Sequence, residues 1–254
     1  MNFGYTKAFF NNIDGGSSSS ANTILRIIGQ YIQPRSVVDI GCGTSAWIKA
    51  ATDIFSIDPA SALGVDGEYT RPLHENLPYR FLYRNLADVV QISNSFELAM
   101  SLEVAEHLPL ARASSFVDEL CRMSTVVLFS AASPGQGGTG HVNEQSADYW
   151  RHEFARNGFE MFDPVRHLVW QDAGVAPWYA QNCFLYVHTS QADVAKRLAA
   201  FRLEVDDWRL RLIHPGIFRL AACESAGAGR ILRALPGRLV AALKSRFPSV
   251  FPRS

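Results

Sequence analysis

The sequence predicts an α/β fold: a mostly parallel sheet covered by helices. Three observations carry this. The β-branched run "SVVDI" (36–40) is followed at once by a glycine turn, "GCG", and then by the helix-like "TSAWIKAA". Later runs such as "TVVLFSA" are apolar without alternation, as strands buried on both faces are. Strand-like and helix-like segments then alternate, the pattern of parallel strands joined by crossovers.

Taken in order, four serines, Ser17 to Ser20, precede "ANTILRIIGQYI", in which Ile24, Ile27, Ile28, Tyr31 and Ile32 recur at helical spacing. A serine is expected to cap that helix and Pro34 to end it. Thr44 is expected to cap the helix after the glycine turn. Further strands are expected at "ALGVD" (62–66), "RFLY" (80–83), "FELAMS" (96–101) and "TVVLFSA" (125–131). Between the last two, Pro109 opens a helix carrying Leu110, Phe116, Val117, Leu120 and Met123 on one side. A loop with four glycines between Gly135 and Gly140 follows, and Asn143 is expected to cap the helix "EQSADYWRHEFARNG". After it, "GFEMF", "RHLVW" and "NCFLYVHT" leave little room for helices and read as antiparallel strands closing the sheet edge. "WYAQN" (178–182), preceded by Pro177, reads as a loop. From Gln191 the chain reads as helical, with breaks at "HPG" (214–216) and "SAGAG" (225–229). Three regions result: a helical N-terminal cap (1–35), the α/β core (36–190) and a basic helical extension (191–254).

The formal net charge is zero, but residues 191–254 hold 12 Lys and Arg against 5 Asp and Glu, so the body is acidic. An acidic body argues against nucleic-acid binding, which gathers cations on one face. Cys42, Cys121, Cys183 and Cys223 form no CxxC pair, so the sequence suggests no metal site and fits a reducing cytoplasm. No transmembrane span or signal peptide is read near the N-terminus. In the tail, Leu232, Leu235, Leu239, Leu243 and Phe247 are spaced three or four apart among arginines, with Pro236 and Gly237 between them. This reads either as a basic amphipathic helix for an anionic membrane or an acidic partner, or as two short helices packed on the body.

Read alone, Gly41, Gly43 and Ala46 form a GxGxxA pattern that also fits a dinucleotide site. Its neighbours are more specific. "VVDIGCG", then "GVDG", "RNL" and "FELAMSLEVAEHLP", in this order over Ser36 to Phe162, resemble the motifs of class I S-adenosylmethionine-dependent methyltransferases. The longer run through "GQGGTGHVNEQ" resembles a bacterial small-molecule subgroup of them. The resemblance implies a Rossmann-like, doubly wound seven-stranded sheet with an antiparallel edge hairpin. It implies S-adenosylmethionine as cofactor, S-adenosylhomocysteine as product, and a small-molecule acceptor, with the protein a monomer or homodimer. Asp39, Gly41, Cys42 and Gly43 would hold the methionine part. Asp66 would accept the ribose hydroxyls, with Asp58 in "IFSIDPA" as the alternative. Asn85 stands where the family commonly has an aspartate facing the adenine, with Leu86 beside it; Ser101 and Glu103 complete the cofactor side.

Methyl transfer requires an aligned acceptor, excluded water and, for most acceptors, removal of a proton. His107 and His141 both fall at the ligand edge of the sheet and are the candidate bases, each with an alternative role in hydrogen bonding or capping. Glu106 is either an acidic partner there or a helix-start residue. Trp178, Tyr179 and Asn182 are the candidate acceptor walls. A hydroxyl acceptor needs a base more than an amine does, so O-methylation is expected, with N-methylation, a silent cofactor-binding partner protein and a dehydrogenase as the other readings. "YTKAFF" near the N-terminus is a lid or a loose end.

Overall fold

The computed structural model describes residues 7–219, and side chains from residue 16 onward. The expected basic helix over 229–247 lies outside the described residues. Seven strands form one sheet: β1 (Val37–Ile40), β2 (Ala62–Asp66), β3 (Arg80–Tyr83), β4 (Leu98–Leu102), β5 (Val126–Ser130), β6 (Phe159–Phe162) and β7 (Phe184–His188). Their order is β3-β2-β1-β4-β5-β7-β6. The first five run parallel, while β7 is antiparallel to both β5 and β6. The expected edge pair is therefore present, but its strands are joined through two short helices and not by a tight turn.

Strands β1, β2, β4 and β5 are buried at every position, which is why they read as continuous apolar runs. Alternate residues divide between two cores. Val37, Leu98, Met100 and Leu128 face the long helix α1 (Lys7–Ile28) and α2 (Ala46–Phe55), whose Ile24, Leu25, Ile28 and Ile48 are fully buried. Val38, Ala99, Val127 and Phe129 face α4 (Ala113–Met123) and α5 (Ala147–Ala155), with Phe116, Leu120, Trp150 and Phe154 filling that side. Between β2 and β3 lies the one-turn helix α3 (Arg71–His74).

Several local expectations are corrected. The serine run does not cap α1 but lies inside it, where Ser20 Oγ satisfies itself on the Gly16 carbonyl at 2.6 Å. That helix ends at Ile28, ahead of Pro34. Ser45, not Thr44, precedes α2, in a left-handed conformation with no side-chain cap. Pro109 opens a 3₁₀ turn, Leu110–Arg112, before α4 starts. Ser146, not Asn143, caps α5, accepting from the Tyr149 amide at 3.2 Å. "RHLVW" is not a strand: Asp163 Oδ1 accepts the Arg166 amide at 3.0 Å and nucleates α6 (Arg166–Val169). "WYAQN" is not a loop but α7 (Pro177–Asn182), with Pro177 at its first position, where a missing N–H costs nothing. Among its described residues the extension forms the short α8 (Ala192–Arg197), then 3₁₀ turns, and is helical again over 215–219. Residues 201–203 lie along β6, with the Leu203 amide donating to the Met161 carbonyl at 3.0 Å, so the exposed edge is covered.

Candidate functional site

The strand order reverses at β1, whose partners β2 and β4 lie on opposite sides, and an open parallel sheet leaves a crevice at such a point. A cavity of about 490 Å³ opens there, within the usual range for ligand pockets.

One wall is the glycine turn. Gly41 and Gly43 have φ of +82° and +50°, and a Cβ on Gly41 would lie 2.3 Å from Val104 Cγ2, so position 41 admits only glycine. Asp66, the last residue of β2, accepts the Gly43 amide on Oδ2 at 2.8 Å, and the Gly67 amide (2.6 Å) and Tyr69 hydroxyl (2.8 Å) on Oδ1. This separates Asp66 from Asp58, which caps a 3₁₀ turn ahead of β2 by accepting the Ala60 amide and does not line the cavity. Burial raises the Asp66 pKa, and the hydrogen bonds from Gly43, Tyr69 and Gly67 offset part of the shift. Behind the turn, His74 Nε2 donates to the Gly43 carbonyl at 2.7 Å while its ring stacks on Phe81 with centroids 4.0 Å apart. Cys42, Asn85 and Leu86 line the same wall; Asn85 also accepts the Ala87 amide and donates to Asp88.

Two expected cofactor residues stand behind the lining. Asp39 is buried with one carboxylate oxygen lacking a partner, and its pKa is raised by burial and then by Asp66. Ser101 is fully buried in β4 with Ala99 on the α4 side, so strand parity keeps its hydroxyl off the cavity surface.

The opposite wall follows β4. Glu103 sits at φ +55°, a sparsely populated conformation for a non-glycine residue. Its carboxylate accepts Gln136 Nε2 at 3.0 Å and Asn182 Nδ2 at 3.2 Å, and Asn182 also donates to Gln136 Oε1 at 2.8 Å. Asn182 thus acts behind Glu103, while Trp178 and Tyr179 of α7 line the cavity directly. Glu106 is 0% exposed, and neither of its oxygens makes a well-formed hydrogen bond. Burial, then Glu103, raises its pKa, and the amides of Glu106 and Ala132 lie near enough to offset only part of this. Burial likewise raises Glu103. His107 and His141 meet with ring centroids 4.9 Å apart and planes at 86°. Burial, then the charge of His141, lowers the His107 pKa to about 4.

The glycine-rich loop is tied down. Glu144 accepts the amides of Gly135 and Gly137 and the His141 Nδ1 proton, each at 2.8 Å. The Val142 and Asn143 amides both donate to the Glu106 carbonyl. Glu144, Gln136, Tyr69 and His74 escaped the sequence reading. Only Glu144 left a signal, an acid three residues after a candidate histidine.

No protein-family profile matches the sequence, and no curated protein sequence matches it significantly. Solved structures do match it in shape. An O-methyltransferase family protein from Burkholderia thailandensis aligns at TM-score 0.52 and 9% identity, over 74% of this chain and 61% of that one. Human N-acetylserotonin methyltransferase, solved in complex with S-adenosylmethionine, aligns at 0.51 and 11%, over 71% and 55%. A sugar N-methyltransferase from Streptoalloteichus aligns at 0.55 and 15%, over 71% and 91%. The chain thus spans about three fifths of the first two relatives and most of the third. Its fold is the class I methyltransferase fold. Among the described residues no helix is long and apolar enough to cross a membrane.

Proposed function

We propose that the protein is an S-adenosylmethionine-dependent methyltransferase acting on a small hydroxyl-bearing acceptor. The observation that carries this reading is the direct bond between Asp66 and the Gly43 amide at the switch point of the sheet. It places a two-oxygen acceptor and a glycine turn in one cavity, as a ligand with both a ribose and an amino-acid part requires. The charge balance agrees. Asp39 and Glu106 are buried and Glu103 is half-buried, and none of the causes shifting their pKa values is a Lys or Arg. A cofactor bearing a sulfonium and an ammonium supplies positive charge to such a cavity.

In this reading Gly41 to Gly43 face the methionine part with Asp39 behind them, Asp66 faces the ribose, and Asn85 and Leu86 the adenine. Glu103, held by Gln136 and Asn182, fixes the transfer side. His107, His141 and Glu106 face the acceptor, and a cluster built to take up a proton favours a hydroxyl over an amine. Helix α1 forms part of the roof, since Ser17 lines the cavity and its hydroxyl lies 3.1 Å from the Tyr179 hydroxyl. When bound, the cofactor supplies an electrophilic methyl group; the chain aligns the acceptor with it and excludes water.

Calorimetric titration with S-adenosylmethionine tests the reading. Saturable one-site binding is expected, lost in Asp66→Ala. Incubating the complex with a metabolite extract should then yield a product heavier by one methylene. Absence of cofactor binding by the wild-type chain would overturn the proposal.

A further inference from the structure

The three residues placed against the acceptor also stand close enough together to share one ion. One ligand-capable atom each from Glu106, His107 and His141 lies within 4.8 Å of the other two. We infer that these three residues form a binding site for a single first-row divalent transition ion, set where the acceptor hydroxyl must lie.

The tautomers support it first. His141 Nδ1–H donates to the Glu144 carboxylate at 2.8 Å, and His107 Nδ1 faces the Gly140 carbonyl at 3.3 Å and donates to it. Both rings therefore carry their lone pair on Nε2, and an imidazole whose other nitrogen donates to a carboxylate or carbonyl is the usual arrangement of a metal-bound histidine. Burial supports it next. The Glu106 side chain is 0% exposed with no well-formed hydrogen bond to either oxygen, so a bound cation would satisfy an anion that the protein otherwise leaves uncompensated. Size agrees as well. Ligand atoms about 2.1 Å from a tetrahedral ion stand about 3.4 Å apart, so closing from the observed separation takes side-chain shifts of about an ångström.

Two imidazoles and one carboxylate suit Mn²⁺, Co²⁺ or Zn²⁺ better than Mg²⁺ or Ca²⁺, which prefer oxygen ligands. Three protein ligands leave positions open for an acceptor oxygen, whose proton a Lewis acid makes easier to lose. The balance of the step is then complete. The acceptor O–H proton leaves to solvent, the oxygen pair forms the bond to the methyl carbon, and the S–C pair returns to sulfur as a neutral thioether. This role rests on the methyltransferase reading; metal binding itself does not.

The test uses the untagged full-length chain stripped with a chelator, titrated with Co²⁺ and followed by visible absorption, with Zn²⁺ and Mn²⁺ as competitors. One ion per chain is expected, with excess Mg²⁺ competing poorly. His107→Gln and His141→Gln should each weaken Co²⁺ binding by about 100-fold or more, and Glu144→Ala by about 10- to 100-fold through loss of the Nδ1 partner. His188→Gln, away from the site, should leave the affinity unchanged. Binding of S-adenosylmethionine by each variant checks that it is folded. No stoichiometric Co²⁺ binding by the wild-type chain, or binding unaltered in both histidine variants, overturns the inference. Cofactor binding without metal binding would remove this inference alone, whereas metal binding without cofactor binding would remove the methyltransferase reading and leave the ion site.

Discussion

Asp66 holds three donors on two oxygens, and one of these, the Tyr69 hydroxyl, would compete with a ribose bound there as proposed. Tyr69 is 48% exposed, and its hydrogen bond to Asp66 must be given up when a ligand takes its place. A bond of this kind contributes about 0.5–1.5 kcal/mol net, so Tyr69→Phe should tighten S-adenosylmethionine binding by about 2- to 10-fold. Calorimetric dissociation constants of the two proteins decide it, and weaker binding in the variant would place the tyrosine hydroxyl on the cofactor instead. At this scale the sequence was informative where function follows from position along one strand. Asp66 was legible because "LGVDG" ends a buried run in a turn, and Asp58 falls ahead of that run. His74, Gln136 and Tyr69 were not legible, because their roles depend on which distant backbone or carboxylate the fold brings beside them. Ser101 was misplaced for a related reason: the motif gives its rank along β4, whereas the parity of the strand decides which side it faces.

Between Gly135 and Glu144 the chain forms a clamped loop, and its glycines act mainly by leaving room. A Cβ on Gly138 would lie 2.5 Å from His141 Cε1 and Nε2, and the residue has φ +146°. Gly138→Ala should therefore displace the imidazole while leaving Asp66 and the glycine turn intact. The expected outcome is a loss of turnover of about 10²-fold or more with cofactor affinity changed less than about 2-fold, since about an ångström of misplacement at a reacting centre costs that much. Steady-state kinetics beside calorimetry separate the two effects; unchanged turnover would take His141 away from the acceptor. The position of this loop after β5 was readable from the sequence, but its rigidity was not, because Glu144 looks like the first turn of a helix until the fold returns it to Gly135 and Gly137. Helices α6 and α7 were misread for a similar reason. "RHLVW" has strand-like composition, and only the cap from Asp163 turns it helical.

Across the whole molecule, alternating runs were enough to read the parallel half of the sheet, since burial on both faces leaves a continuous apolar signature that needs no partner to recognise. The covering of β6 by residues 201–203 was not readable, because such pairing depends on where the chain returns. The same division between local signal and distant contact governs stability. Asp39 is buried in β1 with one oxygen unpartnered, and burial raises its folded pKa well above the usual carboxylate value. The folded state therefore binds a proton that the unfolded chain releases near pH 4, so Asp39 makes folding less favourable as pH rises from there through its raised folded pKa. Above that folded pKa the cost of the charge is at its full extent, and a neutral isostere removes it. Asp39→Asn should raise the Tm of the ligand-free protein at neutral pH, by about 2–4 °C per kcal/mol recovered, with the gain shrinking towards pH 4 where the wild-type carboxyl is already protonated. On the proposed reading, in which Asp39 stands behind the methionine part, the same variant should also bind S-adenosylmethionine more weakly through loss of that negative charge. Thermal melts of both proteins across this pH range, paired with cofactor titrations, test both effects; a gain that does not depend on pH would show that folding does not shift the Asp39 pKa.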